Sequence, residues 1–155
     1  MACLLVVHHT PSPALQELLE ATVSRAREAA TELDLDLDVV LRPALSAGAA
    51  DVLAAHAIIL GTPANIGYMS GALKHFFDTV YYPCLSATVA LPFTGYIHGN
   101  DSTQGALNSI LKITNALRWK QIQPLTCLTG TPDAPARQAC RELGELASAA
   151  ALGAV

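Results

Sequence analysis

The sequence predicts one α/β domain, spanning residues 1–155, in which a five-stranded parallel sheet lies between two layers of helices. Two observations support this class. Short apolar runs alternate with longer segments of helical periodicity, which is the pattern of strands joined by crossover helices. The 155 residues are 52% apolar and only 14% charged. That composition is typical of a single domain whose sheet is buried on both faces.

The first half of the chain contains three predicted strands. The apolar run Cys3–His9 is the first, and helical spacing of apolar residues follows from Pro13 to Leu33. Leu33–Arg42 alternates apolar and acidic residues, which indicates a strand with one wetter face at a sheet edge. His56–Pro63 is the third strand. Apolar residues at i, i+3, i+4 and i+7 from Leu73 to Val80 then indicate a helix.

The second half supplies the remaining strands. Pro83 is expected to end the helix before it, Ala87–Ile97 contains the fourth strand, and Gln123–Gly130 is the fifth, with helices in the intervals. Right-handed crossovers place helices on both faces, giving a three-layer, doubly wound sheet of order 2-1-3-4-5. Ligands bind at the carboxyl ends of the strands where this order reverses, between strands 1 and 3. The loops after strands 1, 3 and 4 are therefore the candidate site.

Composition excludes several classes of protein. Lysine and arginine total nine and do not cluster, so no nucleic-acid partner is expected. No apolar stretch approaches the roughly 20 residues of a membrane-spanning helix. Met1–Val7 has no signal-peptide pattern, so a cytoplasmic protein is expected. Cys3 and Cys127 lie within apolar runs and are interpreted as buried thiols. His8 and His9 have no carboxylate or cysteine in a ligand pattern, so no metal site is expected.

The loop after the first strand has the features of an anion site. Ser12 is placed to cap the following helix, and Pro13 suits its first position because the missing N–H costs nothing there. The N–H groups of Ala14 and Leu15, with the helix dipole and the hydroxyls of Thr10 and Ser12, would bind a negative group. An ordinary capped helix is an equally good interpretation of this loop alone.

The loop after the third strand is unusually long. Ten residues, Thr62–Gly71, separate the strand from the next helix, where two to six are usual. Pro63 and Gly67 would shape a turn, and short side chains would let backbone groups face a flat heterocycle. Ser70 is a candidate cap for the helix. A generic connection remains the alternative.

The stretch GTPANIGYMSGALKHFFD, Gly61–Asp78, resembles the second flavin-binding loop of the flavodoxin-like superfamily, especially its NAD(P)H-dependent FMN reductase and quinone reductase branch. The matching positions are Gly61, Thr62, Pro63, Gly67, Met69, Ser70, Gly71 and Asp78. Two features depart from the pattern. Ile66 stands where the family often has an aromatic residue, and Pro11 and Pro13 replace residues of a Ser-, Thr- and Gly-rich phosphate loop.

The resemblance implies an FMN site built by three loops. Thr10, Ser12, Ala14 and Leu15 would hold the phosphate; Pro63, Ala64, Asn65, Ile66 and Gly67 would line the isoalloxazine ring; His98, Gly99, Asn100 and Asp101 would close its other side. His98 is the candidate polar contact, and no catalytic residue is named. A homodimer formed through Phe76, Tyr81 and Tyr82 is a further expectation.

The implied function is an FMN-dependent oxidoreductase that passes electrons from NAD(P)H to a quinone, a flavin or a similar small-molecule acceptor. Two alternatives stay open. The first is a flavodoxin-type electron-transfer protein without NAD(P)H turnover. The second is a flavodoxin-like module that has lost FMN binding, which the two prolines of the first loop would favour.

Overall fold

The computed structural model describes residues 1–155 and contains one sheet between two helical layers. The strands are β1 (Ala2–His8), β2 (Leu37–Pro43), β3 (Ala57–Asn65), β4 (Tyr68–Met69), β5 (Pro92–Gly99), β6 (Lys120–Gln121) and β7 (Thr126–Thr129). The helices are α1 (Pro13–Glu32), α2 (Ala49–Ala54), α3 (Gly71–Cys84), α4 (Gln104–Ala116) and α5 (Ala134–Ala151). A short 3₁₀ turn covers Ala44–Ser46. No helix combines the length and apolar character needed to cross a membrane.

The strand order confirms the predicted doubly wound topology. β2, β1, β3 and β5 lie side by side and are parallel, and both β6 and β7 pair with β5 at the far edge. The fifth strand position is thus occupied by two short strands, because Pro124 between them has no N–H for the ladder. The short β4, which runs antiparallel to β3, is an addition to the predicted sheet.

The structure also differs from the sequence prediction in the start of β2, in the interval that follows β2 and in the end of α3. β2 begins at Leu37 rather than Leu33, because the chain leaves α1 through a turn in which Asp34 has a φ of 51°. The interval between β2 and β3 holds only the 3₁₀ turn and the six-residue α2. Pro83 does not end α3, which continues to Cys84. A proline in the last turn removes a single N–H donor, so the helix tolerates it there.

Two apolar cores hold the layers together. One lies under α2, α3 and α4 and contains Phe76, Phe77, Phe93 and Trp119. The other lies under α1 and α5, which approach so closely that a Cβ on Gly144 would stand 2.2 Å from the Thr22 carbonyl oxygen. Glycine is therefore required at that position.

Three side chains are not where the sequence predicted. Cys127 is exposed because it lies on the open face of β7, a strand at the sheet edge whose burial alternates. Cys3 is only partly buried because it lies near the start of β1, before the buried run Leu4–Val7. Phe76 is fully buried in the core and cannot contribute to a dimer surface, whereas Tyr82 is 81% exposed and Tyr81 partly exposed on the same helix.

Candidate functional site

A cavity of about 580 Å³ opens at the carboxyl ends of β1, β3, β5 and β7. This is the edge of the sheet at which doubly wound proteins bind ligands. The lining residues are Pro11, Ser12, Pro13, Ala14, Leu15, Glu17, Pro63, Ala64, Asn65, His98, Gly99, Asn100, Gly130, Thr131 and Pro132. Its volume lies within the range of small-molecule sites.

The first wall of the cavity is the start of α1. Ser12 has an extended backbone (φ −140°, ψ 158°), and its Oγ accepts a hydrogen bond of 3.2 Å from the Leu15 N–H. Ser12 therefore caps α1, as the sequence predicted. The Leu15 N–H is therefore engaged within the chain. The N–H groups of Thr10, Ser12 and Ala14 make no intramolecular hydrogen bond. These three donors, at the positive end of the α1 dipole, are available to an anion.

One predicted hydroxyl donor is held elsewhere. Thr10 Oγ1 lies 2.7 Å from His8 Nδ1, and Thr10 does not line the cavity. Burial, with a smaller contribution from neighbouring His9, lowers the pKa of His8 below its ordinary value of 6.5. At neutral pH the imidazole is therefore uncharged, and its Nδ1 shares one hydrogen bond with the Thr10 hydroxyl.

The second wall is a β-hairpin rather than an irregular loop. β3 and β4 pair through Ala64–Met69 and Asn65–Tyr68, with a two-residue turn at Ile66–Gly67. Both turn residues have positive φ, 49° and 71°, which is the type I′ pattern that matches strand twist. An isoleucine in this left-handed conformation is strained, and Ile66 is fully exposed at the hairpin tip.

The hairpin is fixed to its surroundings on two sides. Thr62 Oγ1 accepts a hydrogen bond of 3.1 Å from the Ser70 N–H, and Ser70 Oγ caps α3 by accepting from the Leu73 N–H at 3.1 Å. The Met69 N–H donates to Ser109 Oγ on α4 at 3.2 Å. Gly105 lets the α4 backbone approach the hairpin, since a Cβ there would stand 2.0 Å from the Gly67 carbonyl oxygen. The hairpin is therefore held as a rigid wall.

The third wall is the end of β5. His98 is only 9% exposed, and its Nε2 lies 2.7 Å from the Gly130 carbonyl oxygen. Because a carbonyl oxygen only accepts, Nε2 carries a proton and donates it. His98 thus joins the loop after β5 to the loop after β7.

Nine of the thirteen residues predicted for the site line this one cavity: Ser12, Ala14, Leu15, Pro63, Ala64, Asn65, His98, Gly99 and Asn100. Thr10, Ile66, Gly67 and Asp101 lie outside its lining. Sequence reasoning missed the fourth wall, Gly130–Pro132, and also Glu17. The available signal was Gly130, which ends the fifth predicted strand, with Pro132 just after it, since that strand lies next to the fourth in the sheet.

The cavity contains little charge. Glu17 is the one carboxylate in the lining, no lysine or arginine lines it, and His98 is the other titratable side chain. Elsewhere in the chain, no three His, Cys, Asp or Glu side chains are grouped so as to hold a metal ion. Recognition in this cavity therefore depends on main-chain groups, short polar side chains and shape.

The strand order and the position of the cavity define a flavodoxin-like α/β protein. Three solved structures share the fold. A WrbA-like flavodoxin from Agrobacterium tumefaciens is 18% identical over 100% of both chains, with a TM-score of 0.79. A flavodoxin from the domain Archaea is 15% identical over 97% of this chain and 99% of that chain, with a TM-score of 0.78, and two-electron reduced Megasphaera elsdenii flavodoxin is 18% identical over 94% of this chain and 98% of that chain, with a TM-score of 0.76. Identities this low show the fold alone.

The sequence supplies the more specific result. Residues 14–129 match the family described as NADPH-dependent FMN reductase, and the chain belongs to that family. No curated protein sequence matches it at a significant level. Membership places the chain among FMN-binding oxidoreductases of flavodoxin-like fold.

The residues present fit a flavin mononucleotide in most respects. The cavity has the required size, the free N–H groups of Ser12 and Ala14 lie at a helix N-terminus, and the hairpin and the end of β5 form facing walls. The end of the cavity at the N-terminus of α1, called the anion end below, offers few hydrogen-bond donors. Pro11 and Pro13 have no N–H, and the Leu15 N–H is bonded to the Ser12 cap.

Proposed function

We propose that this chain is an FMN-dependent oxidoreductase that takes reducing equivalents from NAD(P)H and passes them to a small acceptor such as a quinone or a free flavin. The observation that carries the proposal is the cavity at the carboxyl ends of β1, β3 and β5, in a chain that matches the NADPH-dependent FMN reductase family over residues 14–129. A bound flavin would accept a hydride and release electrons, so the protein's task is positioning.

Each wall has a distinct part in that positioning. The N–H groups of Ser12 and Ala14, with the α1 dipole, would hold the phosphate. Ala64 and Asn65 on the hairpin and Gly99 and Asn100 after β5 would flank the ring with main-chain groups. Ile66 would reach the open edge of the ring from the hairpin tip. No side chain is assigned as a general acid or base.

The protonated Nε2 of His98 is committed to the Gly130 carbonyl, so this histidine would act by fixing the geometry of two walls. Its role is therefore positioning. The end of β5, which would flank the flavin, is thereby held at a defined distance from the loop after β7.

The experiment begins with titration of the purified chain with FMN, followed by absorbance and flavin fluorescence. We expect saturable binding at micromolar concentration or tighter (roughly −8 kcal/mol), then FMN-dependent NADH or NADPH oxidation that rises with added quinone or riboflavin. Ala64→Phe fills the cavity and should abolish binding, whereas Ala54→Phe, at an exposed position of α2, should not. Binding that Ala64→Phe leaves intact would place the flavin elsewhere.

One observation favours a second candidate, an electron-transfer protein that docks on a protein partner. Ile66 is wholly exposed at the tip of the hairpin, next to Asn65 of the cavity lining, where a partner surface would cover it. This candidate expects FMN binding without steady-state NAD(P)H oxidation by any common acceptor. Turnover with a quinone or flavin would exclude it, and failure to bind FMN at all would support the third alternative, a module without cofactor.

A homodimer remains part of the proposal, now without Phe76. Tyr82 is 81% exposed on α3, and Tyr81 stands edge-on to it with ring centroids 5.1 Å apart. These two rings would supply the contact. Light scattering of wild type and Tyr82→Glu tests it: a wild-type mass equal to that of the monomer would contradict the dimer.

A further inference from the structure

One arginine bridges two walls of the cavity, although it does not line it. Arg137, on α5, donates from Nη1 to Glu17 Oε1 at 2.9 Å and to the Pro132 carbonyl oxygen at 3.4 Å. Glu17 belongs to the α1 wall and Pro132 to the loop after β7. Arg137 therefore places a positive charge at the edge of the cavity, although no lysine or arginine lines the cavity itself.

The guanidinium retains most of its hydrogen-bonding capacity. Both bonds use Nη1, whereas Nε–H and the two hydrogens of Nη2 donate to no group of the chain. These form the planar fork with which arginine binds a phosphate through two parallel bonds. The side chain is 44% exposed, so a change of partner would not unfold the surrounding core.

The position of Glu17 places this fork at the anion end. Ala14, whose N–H is free, lies one turn before Glu17 on the same face of α1. A carboxylate at this point opposes a bound dianion unless its charge is balanced. The prolines and the helix cap leave only Ser12 and Ala14 as main-chain donors among the lining residues of α1, so a phosphate here gains more than usual from a cation.

We propose that Arg137 is the counter-charge for the 5′-phosphate of the flavin nucleotide, and that Glu17 holds the guanidinium in place when no phosphate is bound. The proposal rests on the proposed function, since it concerns the same cavity. Arg137 then determines specificity for FMN over riboflavin, which has the same ring and ribityl chain but no phosphate.

A neighbouring arginine provides a matched control. Arg141 lies one turn further along α5 and also pairs with a carboxylate of α1, Glu28, at 2.7 Å. Neither Arg141 nor Glu28 contacts or lines the cavity. Loss of Arg141 therefore reports the cost of removing one α1–α5 ion pair without touching the anion end.

The test compares dissociation constants for FMN and riboflavin, measured by flavin fluorescence, in wild type, Arg137→Gln, Glu17→Gln and Arg141→Gln. Arg137→Gln should weaken FMN about tenfold (~1.4 kcal/mol) and change riboflavin less than about twofold. Glu17→Gln keeps the arginine and removes the opposing carboxylate, so it should lower the dissociation constant for FMN a few-fold. A change of this size matches the free energy of an exposed ion pair. Arg141→Gln should leave both constants unchanged.

Each other outcome is decisive. Equal weakening of both flavins by Arg137→Gln would identify a structural clamp and overturn the proposal, as would an unchanged FMN constant. Should Arg137→Gln fail to fold, Glu17→Gln decides, because an unaltered or weakened preference for FMN contradicts the assigned role. Wild type that binds riboflavin as tightly as FMN refutes the Arg137 proposal and leaves the flavin site standing. Wild type that binds neither refutes both.

Discussion

Gly105 offers the sharpest test of how the hairpin wall is built. It is the second residue of α4, where helix propensity alone predicts that alanine stabilises the protein by about 0.5–1 kcal/mol. The structure predicts the opposite sign. An added Cβ would lie 2.0 Å from the Gly67 carbonyl oxygen, a main-chain atom, so the hairpin or α4 must move by about an ångström to restore a 3.0 Å contact.

Overpacking of this kind costs about 1–3 kcal/mol. Subtraction of the propensity gain leaves a loss between about 0 and 2.5 kcal/mol. Gly105→Ala should therefore lower the free energy of unfolding by about 1 kcal/mol, and Tm by roughly 2–4 °C for a chain of this size. The assay is urea unfolding followed by circular dichroism, with FMN titration of the same samples. Because the displaced hairpin is a wall of the cavity, FMN should also bind more weakly.

Gly71→Ala is the control for this measurement. Gly71 is exposed at the first position of α3, and a Cβ there meets nothing within 4 Å, so alanine should be neutral or stabilise by up to about 1 kcal/mol. If Gly105→Ala proved as stable as Gly71→Ala, the close approach of α4 to the hairpin would be wrong, and with it the rigid-wall argument.

Three further substitutions test separate features. Tyr96 is fully buried and its hydroxyl has no hydrogen-bond partner, so Tyr96→Phe should raise the free energy of unfolding in urea by about 1–3 kcal/mol; a loss would mean that the hydroxyl is bonded. Asparagine suits the positive φ of 49° at this turn position, so Ile66→Asn should raise the free energy of unfolding by about 1 kcal/mol in the same assay. An unchanged or lower value would contradict the strained turn. The lowered pKa of His8 means that the unfolded chain binds this proton more readily, so stability should fall as pH drops below about 6.5. His8→Asn should flatten that slope between pH 5 and 7, about the range where histidine titrates, and an unchanged slope would contradict the assignment.

The main lines of the fold could be predicted because strands buried on both faces produce continuous apolar runs. Ala57–Leu60 is such a run, and it forms the first part of β3. The two helix caps, Ser12 and Ser70, were predictable for a local reason: a serine side chain satisfies an N–H three residues on, whatever the tertiary context.

The missed features depend on contacts between distant segments. The β3–β4 hairpin escaped prediction because its turn contains Ile66, a residue that disfavours positive φ, and the turn persists through Gly105 and Ser109 of α4. Glu17 is held by Arg137, 120 residues away, through a contact that no local sequence pattern indicates. Cys127 looked buried in an apolar run, yet an edge strand leaves one side open.

Most of the cavity lining consists of proline, glycine, alanine and small polar residues. The shape of such a site is determined by the course of the backbone more than by the chemistry of its side chains. Many single substitutions in its loops should therefore be silent, whereas a one-residue insertion or deletion should be ruinous. Sequences with this fold should then be able to diverge a long way while the backbone path that forms the pocket is kept.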